Sequence, residues 1–171
     1  LLEIPDSKEI AVEFHSLSKS YNMTGWRIGM AVGNEEIIQA LFKVKSNLDS
    51  GVAQAVQKMG MEALKWPEVA TKARNNIYQL RRDKVVSVLN HIGLQVSPPK
   101  ASLYIWAKVP SGFSSAQFAT ALLDELDIVV TPGSSYGKFG EGYIRLSLTL
   151  SDEDVDEAVR RINGWKIPDL S

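Results

Sequence analysis

The 171 residues carry 44% hydrophobic side chains and a formal net charge of −1, enough apolar material for one ordinary domain, or one and a half smaller units, with a real core. So balanced a charge gives no broad electrostatic reason to expect nucleic acid or an anionic membrane surface as a partner, and any basic site must be local. Cysteine is absent, which excludes disulfides, thiolate nucleophiles and Cys-based metal sites and fits the cytoplasmic location expected for the chain, while no apolar run approaches the roughly eighteen residues of a membrane span.

The chain opens on Leu1-Leu2-Glu3 without an initiator methionine, so a piece of a longer protein is expected. Ile10 to Leu17, short and rich in Val, Phe and Leu, predicts a mostly buried strand, and Gly29 to Val32 predicts a second short one. Asn34 is placed to cap a helix, Glu35 and Glu36 suit the positive end of its dipole, and Ile37, Ile38, Leu41, Phe42 and Val44 form its apolar stripe. A further helix is predicted over Val52 to Leu64. Pro67 then restarts the chain at a first-turn position, and Val69, Ala73, Ile77, Leu80, Val85, Val88 and Ile92 recur at helical steps up to Gly93, a natural terminator. This long helix is expected to link two units.

The rest of the chain reads as an α+β module. Leu103, Ile105, Ala107 and Val109 alternate against Ser102, Tyr104, Trp106 and Lys108 in a predicted strand. Phe118, Ala119, Leu122, Leu123 and Leu126 form a helical face behind a serine-rich cap. Ile128 to Thr131 is a predicted short strand closed by Pro132-Gly133. In Tyr143 to Leu150 the residues Ile144, Leu146, Leu148 and Leu150 point one way, and Tyr143, Arg145, Ser147 and Thr149 the other. The closing helix starts at Ser151, with Asp154 as a capping-box-like partner, and buries Val155, Ala158, Val159 and Ile162 before Gly164.

Chemistry concentrates in His15 to Gly29, where Ser16, Ser18, Lys19 and Arg27 follow a strand and lie among Gly25 and Gly29. A guanidinium suits bidentate recognition of phosphate, serine hydroxyls can donate to the remaining oxygens, and glycines permit close backbone approach. A lysine beside such an anion site is either a point-charge phosphate binder or an amine nucleophile. A lone Ser-Lys pair would read as a solvated turn; the whole spacing is what matters. Arg145 sits mid-strand on the polar face, where it can take a carboxylate bidentately or pair with a helix carboxylate such as Glu153 or Asp154. Tyr104, on the corresponding face of its own strand, reads as a packing or stacking residue. Pro132 to Gly137 lacks the lysine ending and glycine spacing of the common nucleotide loops and reads as a substrate-proximal loop, and His15 and His91, without metal-ligand spacing, read as packed or surface imidazoles.

Ser16-Leu17-Ser18-Lys19, then Asn22-Met23, then Gly25-Trp26-Arg27-Ile28-Gly29 resembles the pyridoxal-phosphate attachment signature of the class I/II aminotransferases, a fold-type-I family. Ala101-Ser102-Leu103-Tyr104, Pro132-Gly133-Ser134 and Gly142-Tyr143-Ile144-Arg145-Leu146-Ser147 follow in the family's order, so the resemblance runs the length of the chain. The stretch Asn47-Leu48-Asp49-Ser50-Gly51 is most similar to the LL-diaminopimelate aminotransferase branch and its relatives.

The resemblance implies an α/β fold, the C-terminal part of a fold-type-I transferase. Residues 1–66 would be a remnant of the three-layer α/β large domain that binds the cofactor, and residues 67–171 the linking helix and the small α+β domain. It implies pyridoxal 5'-phosphate as cofactor, with Lys19 holding it as a Schiff base and serving as the catalytic base. Ser16, Ser18 and Arg27 would hold the phosphate and Arg145 the substrate carboxylate. The expected substrates are an amino acid and a 2-oxo acid, and the expected parent is a homodimer without nucleic acid or membrane partners. The alternatives are a β-lyase or synthase on the same cofactor, or a non-catalytic fragment kept for binding or dimerisation. Family members carry the aspartate that pairs with the pyridine nitrogen and the aromatic that stacks on the ring upstream of the signature. The chain alone is therefore expected to be inactive, with an unpaired strand edge and apolar faces that favour association.

Overall fold

In the computed structural model, which describes residues 1–168, the chain divides into two compact units, Leu1–Lys72 and the residues from Ala73 on. The division falls inside the long helix, beyond the position 66 at which the expected domains part; Asp169, Leu170 and Ser171, the end of the second expected domain, lie outside the described residues.

In the first unit β1 (Val12–Ser16) pairs antiparallel with β2 (Gly29–Gly33), Val12 opposite Gly33 and Ser16 opposite Gly29. Between them lie the one-turn helix α1 (Leu17–Ser20) and a 3-10 turn over Thr24–Trp26. The helices α2 (Glu35–Leu48) and α3 (Gln54–Leu64) follow. Asn34 caps α2 as predicted, its side chain accepting from Ile37 N at 2.9 Å, and its amide nitrogen also donates to Glu9 O at 2.6 Å. Gly60, in mid-α3, is explained by packing: a Cβ there would meet Ile28 Cδ1 at 2.8 Å and Leu17 Cδ1 at 3.2 Å. That close approach helps bury Leu17 and so fixes α1 against α3.

The mostly buried strand is not found. Phe14 is 72% exposed, and Ile10, Phe42 and Leu48 are exposed as well. β1 has β2 as its strand neighbour, so the faces its apolar composition anticipates burying lie open, and no residue of α2 is fully buried.

Helix α4 (Glu68–His91) starts one residue after Pro67 and ends just before Gly93, whose φ of +95° is the left-handed stop the sequence anticipates. In the second unit β3 (Tyr104–Lys108), β5 (Tyr143–Ser147) and β4 (Thr131–Pro132) form an antiparallel sheet in the order β3-β5-β4. Its register sets Trp106 and Thr131 on either side of Arg145. Ile105, Ala107 and Ile144 are fully buried on the other face, where Val85, Val88 and Leu89 of α4 join Phe118 and Leu122 of α5 (Ser115–Leu126) and Val155 and Ile162 of α6 (Asp152–Asn163) in one core. Ser114 and Gln117 close a full capping box on α5, and Ser151 Oγ accepts from Asp154 N at α6.

Three expectations are corrected in this unit. The strand predicted over Ile128 to Thr131 is found only at its last residue: Asp127 turns left-handed and Ile128 N donates back to Leu122 O at 3.1 Å, so Ile128 to Val130 form the exit of α5, and β pairing begins at Thr131. Leu150 does not join Ile144, Leu146 and Leu148 in the core but is 49% exposed, because the β5 ladder ends at Ser147 and the chain turns to cap α6. Leu123 faces out of α5, also exposed.

Candidate functional site

Ser16, Ser18, Lys19 and Arg27 all lie in the first unit, on the excursion between β1 and β2. Ser16 ends β1 and caps α1, its Oγ accepting from Ser18 N at 3.2 Å, which leaves its own proton to donate. Lys19 is exposed on the single turn of α1, whereas Ser18 is largely buried. The excursion is closed by a relay of hydrogen bonds: Leu17 N donates to Ile28 O at 3.1 Å, Thr24 Oγ1 to Ser18 O at 3.0 Å, and Arg27 Nη1 to Thr24 O at 3.0 Å. Thr24, which the sequence reading passed over, therefore couples the turn bearing Lys19 to the one bearing Arg27.

Arg27 has φ 50° and ψ 53°. For an L-residue this left-handed conformation costs about 1–2 kcal/mol, and such outliers concentrate at functional sites. Gly29 serves backbone pairing: a Cβ there would stand 2.6 Å from His15 O, the carbonyl of the neighbouring strand. Gly25 has open space around it. A groove of about 450 Å³ beside this stretch is lined by Tyr21, Met23, Trp26, Met59 and Trp66 among others. Its lining is mostly apolar, with Asn22, Lys58 and Glu62 at its polar part, and contains none of Ser16, Ser18, Lys19 or Arg27, so it is not where those donors converge. Further along, Lys45 Nζ and Gly51 N hold the Asp49 carboxyl below its ordinary range by hydrogen bonds of 2.5 and 2.7 Å. His15 is a surface imidazole bonded to Glu13 Oε2 at 2.8 Å.

Arg145 belongs to the second unit, at the centre of β5. Among the described residues it has no carboxylate partner, and Asp154 instead closes the cap of α6, accepting from Ser151 Oγ at 2.9 Å. The guanidinium carbon lies 4.2 Å from the ring centre of Tyr104 and 4.6 Å from that of Tyr136, and Nε is buried without a hydrogen-bond partner. Tyr104 thus stacks, as its strand face suggested. Tyr136 lies in the loop that reads as substrate-proximal, but the contact of its ring with Arg145 depends on the 3-10 turn over Gly133–Tyr136, which leaves no periodic mark.

Ser115 was missed too. Its buried Oγ accepts from Gly142 N at 2.8 Å and Tyr143 N at 3.1 Å, which fastens the start of β5 to α5. Gly133 and Gly140 approach so closely that a Cβ on Gly133 would be 2.1 Å from Gly140 O.

In this mixed α/β chain, then, Lys19 lies on a one-turn helix after a strand, Arg27 is held left-handed nearby, and Arg145 on β5 of the second unit has no carboxylate partner among the described residues. The sequence model for "Aminotransferase class I and II" matches residues 3–162, and the chain belongs to that family, which depends on pyridoxal phosphate. It is 56% identical over 165 residues to an LL-diaminopimelate aminotransferase of Dehalococcoides mccartyi, covering 96% of this chain and 42% of that protein. It is 54% identical over 162 residues to LL-diaminopimelate aminotransferase 2 of a Nostoc species, covering 95% and 42%. Among solved structures, a probable N-succinyldiaminopimelate aminotransferase of Thermus thermophilus superposes with a TM-score of 0.87 at 35% identity, over 95% of this chain and 44% of that one. Substrate-bound BacF of Bacillus subtilis gives 0.85 at 36%, over 95% and 42%. The chain spans about two fifths of the length of the curated relatives it matches.

Proposed function

We propose that this chain is the C-terminal part of an aminotransferase that moves an amino group between an amino acid and a 2-oxo acid. Ser16, Ser18 and Arg27 hold the phosphate of pyridoxal phosphate, Lys19 holds its aldehyde, and Arg145 takes the substrate carboxylate. The observation that carries the reading is Arg27, held left-handed at φ 50° and tied through Thr24 to the turn that bears Lys19. Hydroxyl, guanidinium and amine together fit a phosphate monoester that also carries an aldehyde.

When bound, the cofactor supplies the electron sink that makes the substrate's α-hydrogen removable. Lys19 Nζ, released from the aldehyde when the substrate's amino group takes its place there, would take up that proton and return it. Arg27 and the serines fix the phosphate end, and Arg145 orients the substrate through its carboxylate. The names of the relatives point to LL-diaminopimelate as the amino acid.

The chain alone is inactive on this reading. It spans about two fifths of the curated relatives, and Phe14, Phe42, Leu48 and Trp66 lie exposed on the unit that would bind the cofactor, apolar surface that a complete large domain would cover.

The test is borohydride reduction of the chain in the presence of pyridoxal phosphate, followed by peptide mapping. Label is expected at Lys19 and is lost in Lys19→Ala and weakened in Arg27→Gly, which keeps the left-handed backbone without the guanidinium. Label concentrated on other lysines overturns the assignment, and robust amino-donor-dependent turnover by the 171-residue chain overturns its inactivity.

A further inference from the structure

Arg145 poses a physical problem. Its side chain is half-buried with an unpartnered Nε, and none of its N–H groups is hydrogen-bonded among the described residues. A long, flexible cation so placed needs something to hold its plane, and an ion pair would do so only by occupying the donors a ligand needs.

What surrounds it is aromatic. Tyr104 comes from β3 on one flank of β5, and Tyr136 from the turn after β4 on the other, with ring centres 4.2 and 4.6 Å from the guanidinium carbon. Ring faces attract a cation through their quadrupole and consume no N–H. Tyr136 is itself fixed. Its ring meets Trp106 edge-on at 5.9 Å and 68°, and Trp106 stacks on Tyr143 at 5.5 Å and 19°. The turn that carries Tyr136 starts at Gly133, whose backbone is pressed against Gly140. Yet Tyr136 is 49% exposed and does not belong to the unit's core, so packing alone does not account for the restraint.

We propose that Tyr136 is a positioning residue: its ring, held by Trp106, sets the plane of the Arg145 guanidinium so that the donor fork is ordered before a carboxylate arrives. The inference rests on the reading of Arg145 as the carboxylate anchor. It makes the ring, and not the phenolic hydroxyl, the working part of Tyr136.

The experiment is proton–nitrogen NMR of the arginine Nε–Hε signals of the 171-residue chain, titrated with propionate as a simple monocarboxylate. Arg145 is assigned by the loss of its signal in Arg145→Lys. In the unsubstituted chain this signal is expected to be displaced by the ring currents of its aromatic neighbours and to shift saturably with propionate. Tyr136→Phe keeps both properties, whereas Tyr136→Leu moves the signal toward the ordinary arginine position and weakens propionate binding by about fivefold, the scale of one partly desolvated cation–π contact. The amide signals of Ile105 and Ile144 report whether each variant is folded. An unchanged signal and affinity in Tyr136→Leu overturn the positioning role and leave Arg145 as anchor. Failure of propionate to move the Arg145 signal in the unsubstituted chain overturns the anchor reading, and this inference with it. Should Tyr136→Leu lose the fold, the displacement in the unsubstituted chain decides, because an Arg145 signal at the ordinary position overturns the inference by itself.

Discussion

The two units contain comparable helices and caps but bury their apolar residues very differently. In the second, Ile105, Ala107, Phe118 and Ile144 are fully buried in a core that also takes in α4 and α6. In the first, Leu17 and Met23 are the buried large apolar residues, while Ile10, Phe14, Phe42, Leu48 and Trp66 are exposed. Both stretches are apolar enough to fold against something; only one has that something within its own residues. The proposed cofactor ligands are carried by the unit with the open apolar surface, and the proposed carboxylate anchor by the unit with the finished core. A sheet of two strands with little core is marginal on its own, so order at Lys19 and Arg27 depends on what covers that surface.

The sharpest way to break this comparison is to delete the same side chain in both units. Phe118→Ala empties a fully buried site and is expected to cost about 3–5 kcal/mol. Phe14→Ala removes a ring that is 72% exposed and should stay within about 0.5 kcal/mol. Urea unfolding followed by tryptophan fluorescence measures both. Similar costs would mean that the first unit buries Phe14 in solution, by association or otherwise.

A smaller effect tests how the second unit holds the strand that carries Arg145. Ser115 Oγ is buried and accepts from both Gly142 N and Tyr143 N. Ser115→Ala leaves two backbone donors without their partner and is expected to cost about 1–3 kcal/mol. In amide hydrogen exchange Gly142 and Tyr143 should lose protection ahead of Ile144. Uniform loss across β5 would show that the hydroxyl stabilises the core in general and does not pin that corner.

Much of this architecture could be read from the residues, and the division follows the range of the forces involved. Caps act within one turn, so Asn34, the serine-rich start of α5 and Ser151 are legible without knowing the fold. The alternation from Leu103 to Val109 is legible because one face of that strand is buried and the other is not. Burial of Ile10 to Leu17 was misread, since composition reports what a segment is suited to pack against and not whether the partner is present. Leu150 failed for a local reason: the pattern ran past the point at which the cap of α6 takes over the chain. The signature from Ser16 to Gly29 was legible as a pattern, but the role of Thr24 in joining its halves needed the turn to be built. Tyr136 was hidden in the same way, because a 3-10 turn and a cross-strand register together bring it to Arg145.

The smallest effect concerns the end of α6, which is held to the second unit by polar contacts at its surface. Arg161 donates to Leu126 O at 2.8 Å and to Glu157 Oε1 at 2.8 Å, and Arg160 donates to Glu157 Oε2 through Nε at 2.9 Å. Hydrogen bonds from Arg160 and then Arg161 hold the Glu157 carboxyl below its ordinary 4.5. A carboxyl whose value is depressed on folding contributes stability that is fully present above 4.5 and is lost as the pH falls through the lower folded value. Glu157→Gln removes that contribution at every pH. The variant should therefore melt slightly below the unsubstituted chain at neutral pH, and the two melting curves should converge in the acid range below 4.5. Added salt should narrow the neutral-pH gap, because Arg160 is exposed and Glu157 and Arg161 are partly so, which leaves their charges open to screening. A gap that persists unchanged in acid would mean that Glu157 supports α6 by packing of its methylenes, with Arg161 held by Leu126 O and by Asp127 at 3.7 Å.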